Sequence, residues 1–194
     1  NKDYQMNKKI RQYIGLAVAV LMYYLIHEGA HLAVALAQGV FKQINFIGMG
    51  VQIDVYTEQM NDVQMGIFCL MGPVASILAG WLMTAFVHPI CRIRSMVVKA
   101  CAWYTTLTLL ILDPLYLSIY YRWVGGGDMN GIALLLPEPM VSIIAAAIAI
   151  IFPYYNKSAF GGNISAYCSL QDYHTVVMEQ LKSICTDLKA AYPD

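Results

Sequence analysis

Long apolar runs alternate with short polar stretches along this chain. Four windows approach or exceed about 20 residues, the length that a helix needs to cross a hydrocarbon layer about 30 Å thick. Their approximate bounds are Tyr13–Ala37, Val63–Val87, Val97–Tyr121 and Ile132–Phe152. Because Pro137 and Pro139 interrupt the fourth window, we expect a short helical piece there, followed by a spanning helix. The pattern predicts about four transmembrane helices.

The segment between the first two windows changes from helical to alternating periodicity. Apolar residues alternate with polar ones on both sides of Gly48-Met49-Gly50, at Ile44, Phe46, Val51, Ile53 and Val55. This pattern is typical of a β-hairpin. Since it lies between two membrane helices and is itself apolar, we expect it at membrane depth, shielded from lipid. The expected fold class is an all-α polytopic membrane protein with a small membrane-associated β-hairpin between the first and second helices.

Composition and charge support a membrane location. Of the 194 residues, 59% are hydrophobic and 12% charged, and the net charge of +0 gives no reason to expect nucleic acid as a partner. Loops rich in Lys and Arg tend to stay cytoplasmic. One side receives most basic residues, and the other receives only Lys42 and Arg122. We therefore expect an integral, multi-pass protein of a bacterial plasma membrane with both termini in the cytoplasm.

A candidate metal-binding motif, His27-Glu28-Gly29-Ala30-His31, lies inside the first window. Residues four apart share one face of a helix, so both imidazoles can reach one Zn²⁺ ion while Glu28 stands beside the ligands as a general base. Two histidines and a glutamate in a lipid-spanning helix are costly unless they have partners. The alternative is that these side chains only bond to neighbouring helices or line a water pocket.

The third ligand of such a zinc ion must come from elsewhere in the chain. The acidic candidates are Asp128, within a glycine-rich stretch, and Asp113, beside Pro114. We favour Asp128 because the glycines let the backbone approach a metal and because it lies on the same predicted side as the second half of the first helix. His88, at a span end, and His174, in the polar tail, are weaker candidates.

Three motifs resemble those of the site-2 protease family of intramembrane zinc metalloproteases. They are His27–His31, Gly72-Pro73-Val74-Ala75-Ser76 in the following span, and the Asp-Pro and Gly-Asp pattern around Asp113 and Asp128. The resemblance covers about residues 13–152. It implies a zinc metalloendopeptidase that cuts in or near a transmembrane segment of a membrane protein or precursor peptide. In that reading one Zn²⁺ ion is held by His27, His31 and Asp128, and Glu28 is catalytic.

A peptide bond in a helix is hidden until the substrate becomes extended, and the edge of the hairpin could accept such a substrate as a further strand. The expected substrate-binding residues are Ile44, Phe46, Val51, Ile53 and Asn130. The expected partners are this substrate and the lipid bilayer, and no nucleic acid. The alternative function is a membrane metal transporter or metal-handling protein that uses the same ligands.

Two domains are expected. Residues 1–153 would form the transmembrane metalloprotease domain, and residues 154–194 a polar C-terminal tail. Apolar residues recur in the tail at spacings of three and four, which predicts an amphipathic helix, at Val177, Leu181, Ile184, Leu188 and Ala191.

Overall fold

The chain folds into long helices with one small antiparallel sheet. The computed structural model describes residues 7–47 and 50–155. The main elements in chain order are α1 (Lys8–Gln38), β1 (Phe41–Ile47), β2 (Gly50–Val55), α2 (Asp62–Ala85), α3 (Val87–Arg92), α4 (Met96–Leu115), a π-helical segment (Tyr116–Tyr120), α5 (Tyr121–Val124), α6 (Gly127–Ile132) and α7 (Glu138–Tyr155).

The ends of α1 place the hairpin directly against it. The Asn7 side chain caps the first turn by accepting a hydrogen bond from the Lys9 backbone N–H. At the other end Gly39 has a φ of 70°, in the left-handed region where a side chain is disfavoured, and its N–H reaches the carbonyls of Ala35 and Leu36. The chain therefore reverses within two residues, and the hairpin packs on the second half of α1.

The predicted hairpin is confirmed. β1 and β2 pair in antiparallel register, with Ile44 opposite Ile53 and Phe46 opposite Val51, and an irregularity occurs between Phe41 and Gln43. Residues 48 and 49, at the expected turn, lie outside the described residues. Ile53 and Val55 on β2 are buried, whereas Ile44 and Phe46 on β1 are largely exposed. Strand β2 is therefore the one that faces the helices.

Helices α1, α2 and α4 form the centre of the fold, each packing on the other two. Gly15 of α1 lies against Ala100 and Tyr104 near the start of α4, and Tyr23 meets Asp113 near its end, so these two helices run in the same direction. His31 and His27 meet Phe68 and Ser76 of α2 in reverse order, so α2 is antiparallel to α1. This arrangement brings the middle of α2 against the motif on α1.

The expected spans are borne out only in part. Three described helical stretches are long and apolar enough to cross a membrane: Lys9–Gln38, Asp62–Ala85 and Met96–Val124. The apolar part of α7, Glu138–Ile151, is shorter. The fourth window is shorter than expected because α6 and a turn take up its first residues and α7 begins only after Pro137. The predicted tail lies outside the described residues, apart from residues 154 and 155, which continue α7.

Candidate functional site: a two-histidine, one-carboxylate cluster

The candidate metal-binding side chains of the first predicted span lie on one face of α1. Tyr23, His27 and His31 follow at intervals of four residues, so their side chains lie above one another on one face of the helix. Both histidines are buried, with 5% and 4% of their surface exposed. They point into the protein, towards α2 and α4.

Asp128 completes a compact cluster with the two imidazoles. Its carboxylate oxygens lie 3.2 Å from His27 Nε2 and 3.4 Å from His31 Nε2, and the two Nε2 atoms are 3.2 Å apart. His27, His31 and Asp128 each offer one possible ligand atom, and these three atoms lie within 4.8 Å of one another. This is the arrangement that a single metal ion requires of three ligands.

The hydrogen bonding of His31 fixes which of its nitrogens faces the cluster. Its Nδ1 lies 2.8 Å from the backbone carbonyl oxygen of Phe68, which can only accept, so Nδ1 donates. In the neutral imidazole Nε2 then carries a lone pair and faces an oxygen of Asp128, which is also an acceptor. The short distance between Nε2 and this oxygen is satisfied either by a proton on Nε2, which then donates to Asp128, or by a metal ion bound between them, and the donor set fits both.

Asp128 lies in the first turn of α6, directly after the glycine-rich turn that ends α5. Gly125 has a φ of 99°, which a residue with a side chain rarely adopts, and it ends α5 so that α6 can turn back towards α1 and α2. Burial raises the pKa of Asp128, but hydrogen bonds from His27 and His31 outweigh burial and hold that pKa at about 2. Asp128 is therefore ionised over the whole physiological pH range.

Gly72 lets α2 approach both imidazoles. A Cβ atom at this position would lie 2.8 Å from His27 Nε2 and would contact His31 Nε2 even more closely. The next residue, Pro73, lies inside α2 and cannot donate to the carbonyl of Cys69, which loosens the helix at this point. The Gly-Pro motif is thus located at the cluster, where the sequence resemblance had placed it only within a span.

Asp113 lies behind His27, on the side away from Asp128. Its Oδ2 is 3.3 Å from His27 Nδ1, and its Oδ1 accepts a hydrogen bond of 2.7 Å from the Tyr23 hydroxyl. Ser76 Oγ lies 3.4 Å from the same Nδ1. Of the two candidate third ligands, Asp128 faces the Nε2 atoms and Asp113 faces Nδ1 of His27.

A cavity of about 300 Å³ opens beside the cluster and is bounded by the hairpin. Glu28 lines it together with residues of β2, and Glu28 Oε2 accepts a hydrogen bond of 3.2 Å from the Ile53 N–H. Of the expected substrate-binding residues, Val51 and Ile53 line this cavity. The others do not: Ile44, Phe46 and Asn130 are exposed and are not among the lining residues.

Sequence reasoning missed four contributors to the site. Tyr23 could have been found, because it lies one turn before His27 on the same helical face. Gly72 and Ser76 were noted as part of a motif without a role at the site. The Phe68 carbonyl leaves no trace in the side-chain pattern, so only the packing of α2 on α1 reveals it.

The comparisons with known proteins give one match. A protein-family model described as epoxyqueuosine reductase QueG, DUF1730, matches residues 132–194, which is less than half of the chain. No curated protein and no solved structure matches. The matched segment begins at the last residue of α6, so it includes none of the residues that form the cluster.

This match contradicts several expectations drawn from the sequence. It names a reductase family and not the site-2 protease family, so the expected family was wrong. The expected zinc metalloendopeptidase activity was also wrong, and so was the alternative function of metal transport or handling. The expected zinc cofactor was wrong on the same finding. The physical reason is that the motif on α1 identifies only which atoms can bind a metal ion. Proteins with similar sets of ligand atoms catalyse different reactions, so the motif does not identify the reaction.

The expected partners are corrected as well. The matched family is named for epoxyqueuosine, a modified nucleoside, which contradicts both the expected absence of nucleic acid and the expected membrane-protein or peptide substrate. A net charge near zero had argued against nucleic acid, but net charge reports only the average over the surface and not its distribution.

Proposed function

We propose that the described bundle binds one divalent transition-metal ion through His27 Nε2, His31 Nε2 and the carboxylate of Asp128. The observation that carries the proposal is the convergence of these donor atoms, with separations of 3.2 to 3.4 Å. Two imidazoles and one carboxylate that leave positions open are a donor set used by mononuclear iron(II) sites and by other first-row metals. The proposal concerns this class of ion, and metal analysis identifies the element.

The surrounding charges support a bound cation. Glu28, Asp113 and Asp128 surround the two imidazoles, and in residues 7–47 and 50–155 none of these carboxylates pairs with a lysine or arginine. Asp113 and Asp128 instead lie 3.3 Å and 3.2 Å from His27, and a carboxylate that is buried or half-buried is costly without a compensating positive charge. A divalent cation would offset that cost directly.

Glu28 has a separate role in this proposal. Its carboxylate lines the cavity next to the cluster without belonging to the ligand set, and the Ile53 N–H holds one of its oxygens. A divalent ion held by the three ligands would supply Lewis acidity, which makes a water molecule more acidic. Glu28 would be the group in the cavity placed to accept a proton.

We propose further that the bundle spans a membrane. Three of its helical stretches have the length and composition for this, and large apolar side chains point outward, with Tyr13, Leu21 and Leu25 of α1 each more than 65% exposed. Apolar surface of this extent is unfavourable in water and favourable in lipid. Membrane fractions washed with carbonate at high pH should retain the full-length chain, and its release into the soluble fraction would refute this proposal.

Metal analysis of the purified full-length chain tests the metal proposal. After reconstitution in medium supplemented with first-row metals, the parent should carry one ion per chain, and His27→Ala, His31→Ala and Asp128→Asn should each carry far less. His88→Ala is the matched control, since His88 lies on α3 outside the cluster, and it should bind like the parent. A metal-free parent, or full occupancy in Asp128→Asn, would overturn the proposal.

The family match supports a second proposal, which concerns the other end of the chain. We propose that residues 132–194 contribute to a reductase acting on epoxyqueuosine. The purified chain, given a chemical reductant and RNA that contains epoxyqueuosine, should yield the reduced nucleoside, detected by mass spectrometry. Unchanged epoxyqueuosine with the full-length chain, under conditions where an authentic epoxyqueuosine reductase reduces it, would refute this proposal without bearing on the metal site.

A further inference from the structure

We infer that Asp113 is a positioning residue that fixes the tautomer and the orientation of the His27 imidazole, with Tyr23 and Ser76 holding it in place. This inference rests on the proposed metal site and deepens it. Asp113 was one of two candidate ligands in the sequence, and its place in the structure gives it a different task. It acts on the metal only through His27.

The contact between Asp113 and His27 determines which nitrogen carries the proton. Asp113 is almost fully buried, with 1% of its surface exposed, and its Oδ2 lies 3.3 Å from His27 Nδ1. The carboxylate oxygens of Asp113 accept hydrogen bonds, and Oδ2 is placed to accept from Nδ1, so the geometry favours a proton on Nδ1. The lone pair of the neutral ring is then on Nε2, which points at Asp128 and His31.

Tyr23 restrains the Asp113 carboxylate from the other side. Its hydroxyl donates to Oδ1 at 2.7 Å, so rotation of the carboxylate away from His27 would break this hydrogen bond as well. The Tyr23 ring also packs beside the imidazole, with ring centroids 5.1 Å apart. Both oxygens of Asp113 are therefore engaged by residues one turn apart on α1.

Ser76 provides a second acceptor for the same imidazole N–H. Its hydroxyl donates to the backbone carbonyl of Gly72 at 3.1 Å, which leaves its oxygen lone pairs facing His27 Nδ1 at 3.4 Å. The imidazole is thus held between α4 and α2. Because Ser76 is completely buried, no water competes for this position.

The two histidines of the cluster differ in their outer partners. His31 Nδ1 faces a neutral backbone carbonyl, whereas His27 Nδ1 faces a carboxylate. A carboxylate partner makes the imidazole a stronger electron donor than a carbonyl does, and losing such a partner commonly weakens metal binding about 10- to 100-fold. His27 should therefore respond to the loss of Asp113, even though Asp113 does not touch the ion.

Metal-binding measurements on the full-length protein in detergent test this inference. Co²⁺ serves as the probe, with affinity from competition against a chelator and the ligand environment from the visible absorption bands. Asp113→Asn should bind Co²⁺ about 10- to 100-fold more weakly than the parent and shift the bands while keeping one ion per chain. Tyr23→Phe should also weaken Co²⁺ binding and shift the absorption bands, but less than Asp113→Asn does. Thr106→Val is the control, because Thr106 is a buried polar residue of α4 whose hydroxyl bonds within its own helix.

Each outcome has a distinct meaning. If the parent binds no Co²⁺, the proposed metal site fails. If the parent binds but Asp113→Asn has the same affinity and spectrum, the positioning role fails while the metal site stands. Loss of all binding in Asp113→Asn together with full binding in Asp128→Asn would also overturn the inference, because Asp113 would then be a ligand. Should Asp113→Asn not fold, Tyr23→Phe decides, and a parent-like affinity and spectrum in that variant would refute the role.

Discussion

Replacing Gly72 with alanine would place a methyl group between α2 and the two imidazoles. The added Cβ would lie 2.8 Å from His27 Nε2 and 2.8 Å from His31 Cε1, and it would contact His31 Nε2 more closely still. An ordinary contact between such atoms is about 3.5 Å, so the rings or the helix must move by more than about 0.5 Å. Binding sites tolerate displacements of only about 0.5 Å. We therefore expect Gly72→Ala to weaken metal binding at least about 10-fold.

Gly29→Ala is the matched control for this variant. Gly29 lies between the two histidines on α1, but a Cβ there would have nothing within 4 Å. Alanine is favoured over glycine inside a helix by about 1 kcal/mol, so both substitutions carry the same intrinsic gain. Any difference between them therefore reports the contact with the imidazoles.

The assay measures metal content and thermal unfolding of the parent and both variants in the same detergent. Gly29→Ala should match the parent in metal content and unfold at the same or a slightly higher temperature. Gly72→Ala should lose metal. If Gly72→Ala bound metal as tightly as the parent, the close packing of α2 on the cluster would be refuted.

Three further predictions follow from the described residues. Gly39→Ala forces a side chain into a left-handed conformation with a φ of 70° and should cost about 1 to 2 kcal/mol in the free energy of unfolding, and an unchanged chemical-denaturation midpoint would contradict this. Metal affinity should fall steeply as the pH is lowered, because protons compete with the metal for the two imidazole Nε2 atoms while Asp128, with its pKa at about 2, stays ionised; a flat dependence between pH 5 and 6 would argue against two histidine ligands. A cysteine at Lys9 and one at Lys42 should react with an impermeant thiol reagent from opposite sides of sealed vesicles, because α1 lies between them, and labelling from one side would exclude a spanning α1.

The cluster and the family match concern separate parts of the chain. The metal-binding residues all precede the matched segment, which starts at Ile132. The sequence motif on α1 could identify the donor atoms, because they depend on side-chain chemistry. It could not identify the reaction, which depends on what enters the cavity and on which metal is bound.

Local periodicity determined much of this protein. The spacing of His27 and His31 places them on one face of α1 in any helix that contains them, and the alternation around residues 44–55 leads to a hairpin, because both patterns depend only on neighbouring residues. The apolar windows likewise located the three long helical stretches. In the fourth window the helix begins only at Glu138, because Pro137 interrupts the periodicity.

Tertiary packing decided how the distant residues divide their tasks. The glycines around Asp128 favoured it over Asp113 as the third ligand, but nothing in the local sequence says that Asp113 faces Nδ1 of His27 while Asp128 faces Nε2. The contact of α6 with α2 brings Asp128 to a histidine 101 residues away in the chain. Gly72 shows the same limit, because a glycine's lack of a side chain matters only where another group occupies the space, and that group comes from a different helix.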